Sequence, residues 1–417
     1  MGIEAKISEQ LNRMPALKKV IKRAYQFCGY ALSPKLKGKS EGDISCVSPQ
    51  DDNDYFFGYY DKSPWDASER YMLCLKAKDT SKDVAPSEPA EILLLDLHTG
   101  QHKIIAVTRS WNVQQGCMLQ WLGPDFSKRV IYNDFRNGKL CSVILEVETG
   151  KEKILDMPVY SVCGDGKTAL TLDFSRLHRL RPGYGYCNVK DNTENEKLPP
   201  TPCVWRVNLI DGTSEPILSY TDLASFECRD CMQGAEHKVN HIMINPSGTR
   251  AMLLHRWFHK QTKYTRLVTF NLDGSDLYNL CDENMVSHCC WKNDNEILGF
   301  ARKDKTLGYY LMKDQSSDYR ILWPKLNVDG HPSYGPDGRV VTDTYPDRAR
   351  IASVKILEDE GNVKTIARVF APFRYDNLTR CDLHPRWNRT GDKICFDGAF
   401  EGRRRLYVIN HVGENDE

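Results

Sequence analysis

The chain has 417 residues and a nearly balanced charge, with 57 lysines and arginines against 56 aspartates and glutamates. A net charge of +1 provides no global field that would hold a nucleic acid, so nucleic-acid binding is not expected and any charge-based binding must be local. The fifteen cysteines are scattered through a chain with 41% hydrophobic residues, which can form a core without disulfides, so we expect reduced thiols in a cytoplasmic protein.

The first predicted element is an amphipathic helix within an N-terminal segment of residues 1–41. Its apolar residues recur at helical spacing between residues 7 and 25, with basic residues around them. The first 30 residues lack the apolar core and cleavage site of a secretory signal, which favours a cytoplasmic location. The helix predicts either peripheral contact with the inner face of a membrane through residues 7–25 or packing against the outside of the main domain. The apolar positions are Leu11, Met14, Leu17, Ile21 and Tyr25.

Residues 42–417 predict a seven-bladed β-propeller. Short β-rich runs recur there between turns, most clearly after His241, His331 and His384. A unit of about 40 to 50 residues with three or four antiparallel strands is typical of a propeller blade, because one such sheet cannot bury both faces alone. The last unit has only three evident strands, and residues near Ile44 to Ser48 are predicted to complete it.

Four histidines occupy the same position in four consecutive repeats. Each stands three residues before a bulky apolar residue and seven before the turn residue. Because the first strand of each blade lines the central channel, these imidazoles are predicted to meet around one axis. Neutral imidazole nitrogens suit a divalent metal such as Mn or Zn, with an oxygen ligand from Asp343, Asp382 or Asp397. The alternative is that the histidines only hydrogen-bond across the channel. They are His241, His288, His331 and His384.

Other polar residues are predicted to reach the same channel. Arg256 ends the second strand of the fourth blade, and an arginine beside a metal suits a ligand that bears a carboxylate. Aromatic residues such as Tyr60 suit sugar rings, although many tyrosines in propellers pack between blades. Cys228 and Cys231 have zinc-like spacing but no matching second pair, so we interpret them as a loop feature.

The chain resembles the β-propeller polysaccharide lyases, namely the oligogalacturonate lyase family and related ulvan lyases. The resemblance implies a divalent cation held by channel histidines and cleavage of uronate-containing glycans by β-elimination. Removing the C5 proton of a uronate pushes charge onto its carboxylate, so a cation or an arginine must stabilise that charge. The segments that carry the resemblance are Phe57–Trp65, Asn240–Trp257, Ser287–Trp291, His331–Pro346 and His384–Asp397.

The resemblance also implies roles for individual residues. It makes His241 the base and Arg256 the arginine that neutralises the uronate carboxylate, and Tyr60 is the third catalytic candidate. It implies His288 and His384 as metal ligands, to which we add His331 from its register and Asp382, which stands where the family has a second histidine. The predicted contacts to an oligosaccharide are Arg176, His255, Tyr345 and Arg386.

Three functions remain open at this point. The first is a metal-dependent lyase that acts on uronate-containing oligosaccharides. The second is a carbohydrate-binding or scaffold protein without lyase activity in surface-glycan biosynthesis, associated with a membrane through the N-terminal helix. The third is a protein-interaction propeller whose polar channel residues have no chemical role.

Overall fold

The computed structural model describes residues 15–260, 262–358 and 361–410, and only the backbone of residues 15–19. It confirms the predicted seven-bladed β-propeller with a short N-terminal helix. Six blades have four antiparallel strands in the described residues, and the sixth blade along the chain has five. All fifteen cysteines lie in the described residues and are free.

The blades follow one another along the chain. Blade 1 has strands Asp54–Phe56, Tyr71–Ala77, Ala90–Asp96 and His102–Thr108. Blade 2 has Gln120–Trp121, Arg129–Arg136, Lys139–Glu146 and Glu152–Leu155. Blade 3 has Ser161–Val162, Thr168–Leu172, Pro202–Asn208 and Ser214–Ser219. Blade 4 has Glu236–Ile244, Arg250–His259, Thr262–Asn271 and Tyr278–Cys281.

The last three blades close the ring. Blade 5 has strands Val286–Trp291, Glu296–Lys303, Thr306–Lys313 and Tyr319–Leu322. Blade 6 has Ser333–Tyr334, Val340–Asp343, Ile351–Leu357 and Val363–Phe370, with Ser40–Glu41 as its fifth strand. Blade 7 has Arg386–Trp387, Ile394–Gly398 and Arg405–Ile409, completed by Ile44–Cys46.

The described residues include three α-helices. Helix α1 is Pro15–Leu32, α2 is Phe174–Leu180 and α3 is Tyr220–Ser225. Single 3-10 turns lie at Asp230–Met232 and Asn377–Thr379. Among the described helices, none combines the length and the apolar character needed to cross a membrane.

The middle strands of the blades carry continuous apolar runs instead of alternating ones. In blade 1, the consecutive residues Met72, Leu73 and Cys74 are all fully buried, although adjacent residues on a strand point to opposite faces. Both faces of a blade are covered by its neighbours, so apolar residues are needed on both sides of the middle strands. The core therefore lies between the blades, and the polar side chains of the innermost strands are left to line the channel.

The N-terminal part of the chain closes the propeller as predicted. Ile44 pairs with Ile409 and Cys46 with Tyr407, so residues 44–46 form the outer strand of blade 7. The additional pairing of Ser40 with Val369 was not expected, because residues 1–41 were predicted as a helix and a linker. Both pairings cover strand edges that would otherwise expose unpaired backbone groups.

A buried ion pair also ties the last blade to the first. The Asp397 carboxylate accepts the backbone N–H groups of Phe57 and Gly58 at 3.0 and 3.3 Å. The guanidinium of Arg386 lies 3.3 Å from this carboxylate, and its Nε donates to the carbonyl oxygen of Tyr59 at 3.0 Å. These bonds fix the segment that carries Tyr59 and Tyr60 toward the channel.

We expect an Arg386→Met variant to lose about 3 kcal/mol of unfolding free energy, because it leaves the buried Asp397 carboxylate without its cation. Equilibrium unfolding in urea measures this loss. The control is Arg206→Met, which removes an exposed pair with Glu215 and should change stability by less than about 0.5 kcal/mol. Equal losses in both variants would show that the Arg386 pair does not hold the ring closed.

Helix α1 packs against the propeller through one face. The Phe27 ring stacks on Phe373 with centroids 4.3 Å apart, and Arg23 donates to the Phe373 carbonyl oxygen at 2.5 Å. The opposite face carries the second half of the predicted apolar stripe, and Ile21 and Tyr25 there are 43% and 59% exposed. Leu11 and Met14 of that stripe lie outside the described residues.

Candidate functional site

The four histidines of the predicted register form a continuous row in the channel. Ring centroids are 6.4 Å apart between His241 and His288, 4.1 Å between His288 and His331, and 4.3 Å between His331 and His384. All four side chains are buried. The rings therefore meet around one axis, as the repeat register predicts.

Backbone irregularities aim these side chains into the channel. His241 and His384 have φ of +59° and +45°, in the left-handed region that non-glycine residues rarely adopt. The strand pairing of blade 4 shifts between Asn240 and Met243, and a bulge of this kind turns a side chain out of its regular direction. Strained residues at the ends of rigid strands are typical of functional sites, where the surrounding structure stabilises the costly conformation.

Three of the four predicted metal ligands come together. The ligand atoms of His331, Asp382 and His384 all lie within 4.8 Å of one another. The Nε2 atoms of both histidines are buried without a hydrogen-bond partner. The Asp382 carboxylate is held by the Arg380 guanidinium, whose Nη2 donates at 2.9 Å. Two imidazole nitrogens and one carboxylate fit a divalent cation such as manganese or zinc.

Asp343 supports this group from behind. Its Oδ1 lies 2.8 Å from His331 Nδ1, and its Oδ2 accepts the backbone N–H of His384 at 3.1 Å. A carboxylate on Nδ1 fixes the ring and leaves Nε2 for a metal, which is the usual arrangement behind a metal-binding histidine. Asp343 was one of three predicted oxygen donors, and its oxygens are used here to orient the two histidines.

The fourth predicted ligand, His288, has a different set of contacts. Its Nδ1 lies 3.1 Å from Asp329 Oδ1, and Asp329 also accepts from the Ser287 hydroxyl at 2.8 Å. The His288 ring touches His331 but is not part of the close group of ligand atoms. His288 therefore stands between the cation group and His241.

The charge states of the cluster differ along the row. Burial lowers the pKa of His288 and of His384, because the charged imidazolium loses its hydration. Burial acts on His331 in the same direction, but the carboxylate of Asp343 outweighs it and raises the pKa of His331 above its ordinary value. The row thus combines neutral imidazoles at His288 and His384 with His331, whose charged form is stabilised by the buried Asp343 carboxylate.

His241 lies between two tyrosine hydroxyl groups. Its Nε2 is 3.1 Å from the Tyr60 hydroxyl and 3.1 Å from the Cys289 carbonyl oxygen, and its Nδ1 is 3.2 Å from the Tyr59 hydroxyl. The Cys289 amide also lies 3.3 Å from Nε2, but the carbonyl contact is shorter and can only accept. We assign the neutral tautomer with hydrogen on Nε2, so that Nδ1 carries the lone pair and accepts from the Tyr59 hydroxyl.

Two further predicted residues lie beside the row. Arg256 is 4% exposed, and its Nε and Nη1 atoms have no hydrogen-bond partner. Burial and the nearby charge of Arg181 lower the pKa of Arg256 to about 10, so it remains charged at neutral pH. The ring of Tyr345 lies 5.8 Å from that of His331 and is covered by the Arg380 guanidinium. A charged donor and an aromatic ring therefore border the cluster.

The other three predicted substrate contacts have structural partners instead. Arg176 donates to the carbonyl oxygens of His237, Thr193 and Lys197. His255 is hydrogen-bonded to His237 at 2.9 Å and to Arg266 at 3.2 Å, and Arg386 ties blade 7 to blade 1. Since the polar atoms of these side chains are used inside the protein, we give them no part in ligand binding.

Sequence reasoning missed two residues of the cluster, Asp329 and Arg380. Asp329 stands two residues before His331, and Arg380 stands two residues before Asp382. Residues two apart on an extended chain point to the same side, so each belongs beside the ligand that follows it. This spacing was the signal that would have found them.

The comparisons with known proteins support the fold. No protein-family model and no curated protein matches the sequence. The oligogalacturonate lyase from Vibrio parahaemolyticus aligns with a TM-score of 0.63 at 14% identity, over 91% of this chain and 98% of that one. An oligogalacturonate lyase in complex with manganese gives 0.64 at 15% identity, over 91% and 97%. In its fold, the chain is therefore similar to the oligogalacturonate lyases.

Proposed function

We propose that the protein is a metal-dependent lyase that cleaves uronate-containing oligosaccharides by β-elimination. The observation that carries this proposal is the pair of buried, unpaired Nε2 atoms of His331 and His384 beside Asp382, together with two unpaired guanidinium nitrogens of Arg256, whose charge acts on His241 of the same row. Buried polar atoms without partners are costly unless a ligand completes them. A cation would bind the two histidine nitrogens, and a carboxylate of the ligand would pair with Arg256.

The cation would be held by His331, Asp382 and His384. When bound, a divalent cation stabilises the negative charge that develops on a uronate carboxylate as its C5 proton leaves. Manganese is our candidate, because the similar lyase structure is a manganese complex and because carboxylates such as Asp382 are among the ligands that suit manganese.

The remaining chemistry belongs to protein side chains. The Tyr59 hydroxyl that is bonded to His241 Nδ1 in the structure gives way to the substrate, and Nδ1 then takes the C5 proton. Arg256 pairs with the carboxylate to stabilise the charge that develops there. The C4–C5 double bond forms as the C4–O4 bond breaks, and the Tyr60 hydroxyl gives its proton to O4. Burial raises the pKa of Tyr60 well above its ordinary value, so this hydroxyl is protonated at neutral pH. His241 Nε2, 3.1 Å away, then returns a proton to Tyr60, so the proton taken from C5 is balanced by the one given to O4.

The pH profile follows from the state of His241. Burial and the neighbouring His288 lower the pKa of His241 to about 3, so its neutral form is present at every higher pH. We expect the elimination rate at saturating Mn²⁺ to show no acid limb near pH 6.5, the ordinary pKa of histidine. An acid limb at that pH would contradict the assignment of His241 as the base.

The direct test incubates the protein and Mn²⁺ with a panel of uronate oligosaccharides and follows the ultraviolet absorbance of the unsaturated product. We expect product from at least one member and none when the metal is removed with a chelator. A protein that binds Mn²⁺ but forms no product across a broad panel would contradict the lyase proposal.

A second candidate function is favoured by the outward face of helix α1. Ile21, Tyr25 and Leu32 lie opposite the face that packs on the propeller, and all three are exposed. The sequence of α1 has four basic residues and no acidic one, so the helix fits an anionic lipid surface. On this proposal the protein binds glycans at a membrane.

Flotation with phosphatidylglycerol vesicles tests the membrane proposal. The protein should float with these vesicles but not with neutral phosphatidylcholine vesicles, and an Ile21→Glu, Tyr25→Glu variant should lose binding. An Arg374→Gln variant, which changes an exposed charge on the propeller, serves as the control. Absence of vesicle binding by the unchanged protein would contradict this candidate.

A further inference from the structure

The group of predicted metal ligands lies in a closed part of the channel. His331 is 0% exposed, His384 is 2% exposed and Asp382 is 5% exposed. The Nε2 atoms of the two histidines nevertheless have no hydrogen-bond partner, and buried atoms of this kind need a ligand. Because these side chains are covered, an oligosaccharide reaches them only if part of the protein moves.

One loop extends along the mouth of the channel above these residues. Residues 181–185, which we call the flap, follow helix α2 of blade 3. A Cβ atom built on Gly183 would lie 3.7 Å from the Cβ of Leu378, in the connection between blades 6 and 7. Blades 1 and 2 separate blade 3 from blade 7 in the ring, so the flap spans a wide part of the mouth.

The Tyr184 side chain projects from the flap over the histidine row. Its ring lies 6.4 Å from that of Tyr59, which in turn lies 5.1 Å from that of His384. Tyr184 also acts electrostatically on Arg256 of blade 4 and on Arg380, which precedes blade 7. These two arginines belong to opposite sides of the ring. Tyr184, which is 7% exposed, therefore covers the middle of the mouth.

Two hydrogen bonds fix the ends of the flap. Lys238 Nζ donates to the carbonyl oxygen of Leu180 at 3.2 Å, and Asn112 Nδ2 donates to the carbonyl oxygen of Gly185 at 3.1 Å. These bonds hold the flap where it leaves α2 and where it enters the loop that follows.

The hydrogen bond and the ring contact in the middle of the flap are internal to it. The Tyr184 N–H donates to the Arg181 carbonyl oxygen at 3.1 Å, and the Arg181 guanidinium lies 4.0 Å from the centroid of the Tyr184 ring. Gly183 and Gly185 flank Tyr184 with φ of +89° and +71°. Glycine changes readily between this left-handed region and other conformations. The flap can thus move as a unit that carries Tyr184 and Arg181 together.

A cavity behind the flap leaves room for this movement. It has a volume of about 120 Å³, and its lining includes Gly183 and Gly185 but not Tyr184 between them. The ring and the cavity therefore lie on different sides of the flap. A shift of the flap into the cavity withdraws Tyr184 from the mouth.

We propose that the flap is a gate, which opens to admit a ligand to the histidine row and then closes Tyr184 over it. This inference rests on the proposed function, because it states how the oligosaccharide substrate reaches the same site. A closed flap excludes water. In a site without water, the charge that develops on the substrate is stabilised more strongly by the charged side chains around it.

A reversible disulfide can hold the gate shut. The Cβ–Cβ distance of 3.7 Å between positions 183 and 378 lies within the range of about 3.5–4.5 Å found in disulfides. A Gly183→Cys, Leu378→Cys variant should therefore be linked by oxidised glutathione and released by dithiothreitol. A Cys28→Ser, Cys228→Ser background removes two exposed native thiols. Comparing one protein in its oxidised and reduced forms cancels the strain of a cysteine at the φ of Gly183.

Access to the row is measured with diethyl pyrocarbonate, which modifies neutral imidazoles and is mapped by mass spectrometry. Burial lowers the pKa of His384, so its imidazole is neutral at pH 7. In the metal-free protein we expect His384 to react at least about 10-fold more slowly in the oxidised form, because the reagent enters through an open state populated at about 0.1–10%. For the same reason, Tyr184→Ala should speed the reaction at His384 about 10-fold or more. The exposed His102 of blade 1 should react equally in all forms.

The outcomes separate the gate from the lyase proposal. Equal reaction at His384 in the oxidised and reduced forms would overturn the gate, as would a disulfide that fails to form. These measurements need neither Mn²⁺ nor turnover, so they test the gate even if the protein forms no unsaturated product. If product forms, the oxidised variant should make it at least about 10-fold more slowly and recover on reduction. Full activity of the oxidised variant would contradict the gate and leave the lyase proposal intact.

Discussion

Replacing His241 with alanine is expected to lower kcat/KM for β-elimination about 10³-fold, the range found when a general base is removed. The reason is the position of its imidazole, which is held neutral by burial and lies within 3.2 Å of both the Tyr59 and Tyr60 hydroxyls. Initial rates of formation of the unsaturated product, at saturating Mn²⁺, measure the change.

Metal content provides the internal control for this variant. His241 is not part of the group of ligand atoms at His331, Asp382 and His384, so His241→Ala should bind Mn²⁺ as the unchanged protein does. A His102→Ala variant, which changes an exposed histidine in blade 1, should retain full activity. A His241→Ala protein with a rate within about 3-fold of the original would remove His241 from the mechanism.

Replacing His331 or His384 with alanine is expected to weaken Mn²⁺ binding by at least about 100-fold. Each change removes one of two converging imidazole nitrogens, and loss of even a supporting residue behind a metal ligand costs 10- to 100-fold in affinity. Asp343→Asn should show the smaller effect of such a supporting residue, because it keeps the ring in place but removes the charge from Nδ1. Calorimetric titration of the metal-free protein with Mn²⁺ measures the three affinities.

A His288→Ala variant tests whether His288 is also a ligand of the metal. It was predicted as a ligand, but its Nδ1 contacts Asp329 and its ring is outside the closest group. We therefore expect His288→Ala to weaken Mn²⁺ binding by less than about 10-fold. A loss of Mn²⁺ affinity as large as that of His331→Ala would show that His288 is also a ligand.

The repeat made the histidine row predictable. His241, His288, His331 and His384 share one register, and the geometry of a propeller converts equal register into equal height around the axis. The strand that closes the ring near Ile44 was predictable for a similar reason, because an incomplete last blade requires one. The register of the histidines and the need for a closing strand both follow from the repeat, and neither depends on the details of side-chain packing.

The partners of individual polar side chains were not predictable in this way. Arg386 and Arg256 are both buried arginines near the channel, but Arg386 bonds to Gly58 and Tyr59 while two nitrogens of Arg256 have no partner. The difference depends on contacts between the two ends of the chain, which sequence spacing does not contain. The same limit applies to Arg176, whose donors are taken by a long loop.

The helix shows a third kind of limit. Its periodicity correctly predicted an amphipathic element, but an apolar stripe does not say which face meets the protein. The docked face uses Arg23 and Phe27, and the predicted stripe at Ile21 and Tyr25 points outward.

An X-ray structure of the protein crystallised with Mn²⁺, with data collected where manganese scatters anomalously, would locate the cation directly. We expect one strong anomalous peak in the channel, at coordination distance from His331 Nε2, His384 Nε2 and an Asp382 oxygen. A channel without such a peak in crystals that bind Mn²⁺ elsewhere, or a peak held by other residues, would contradict the proposed metal site.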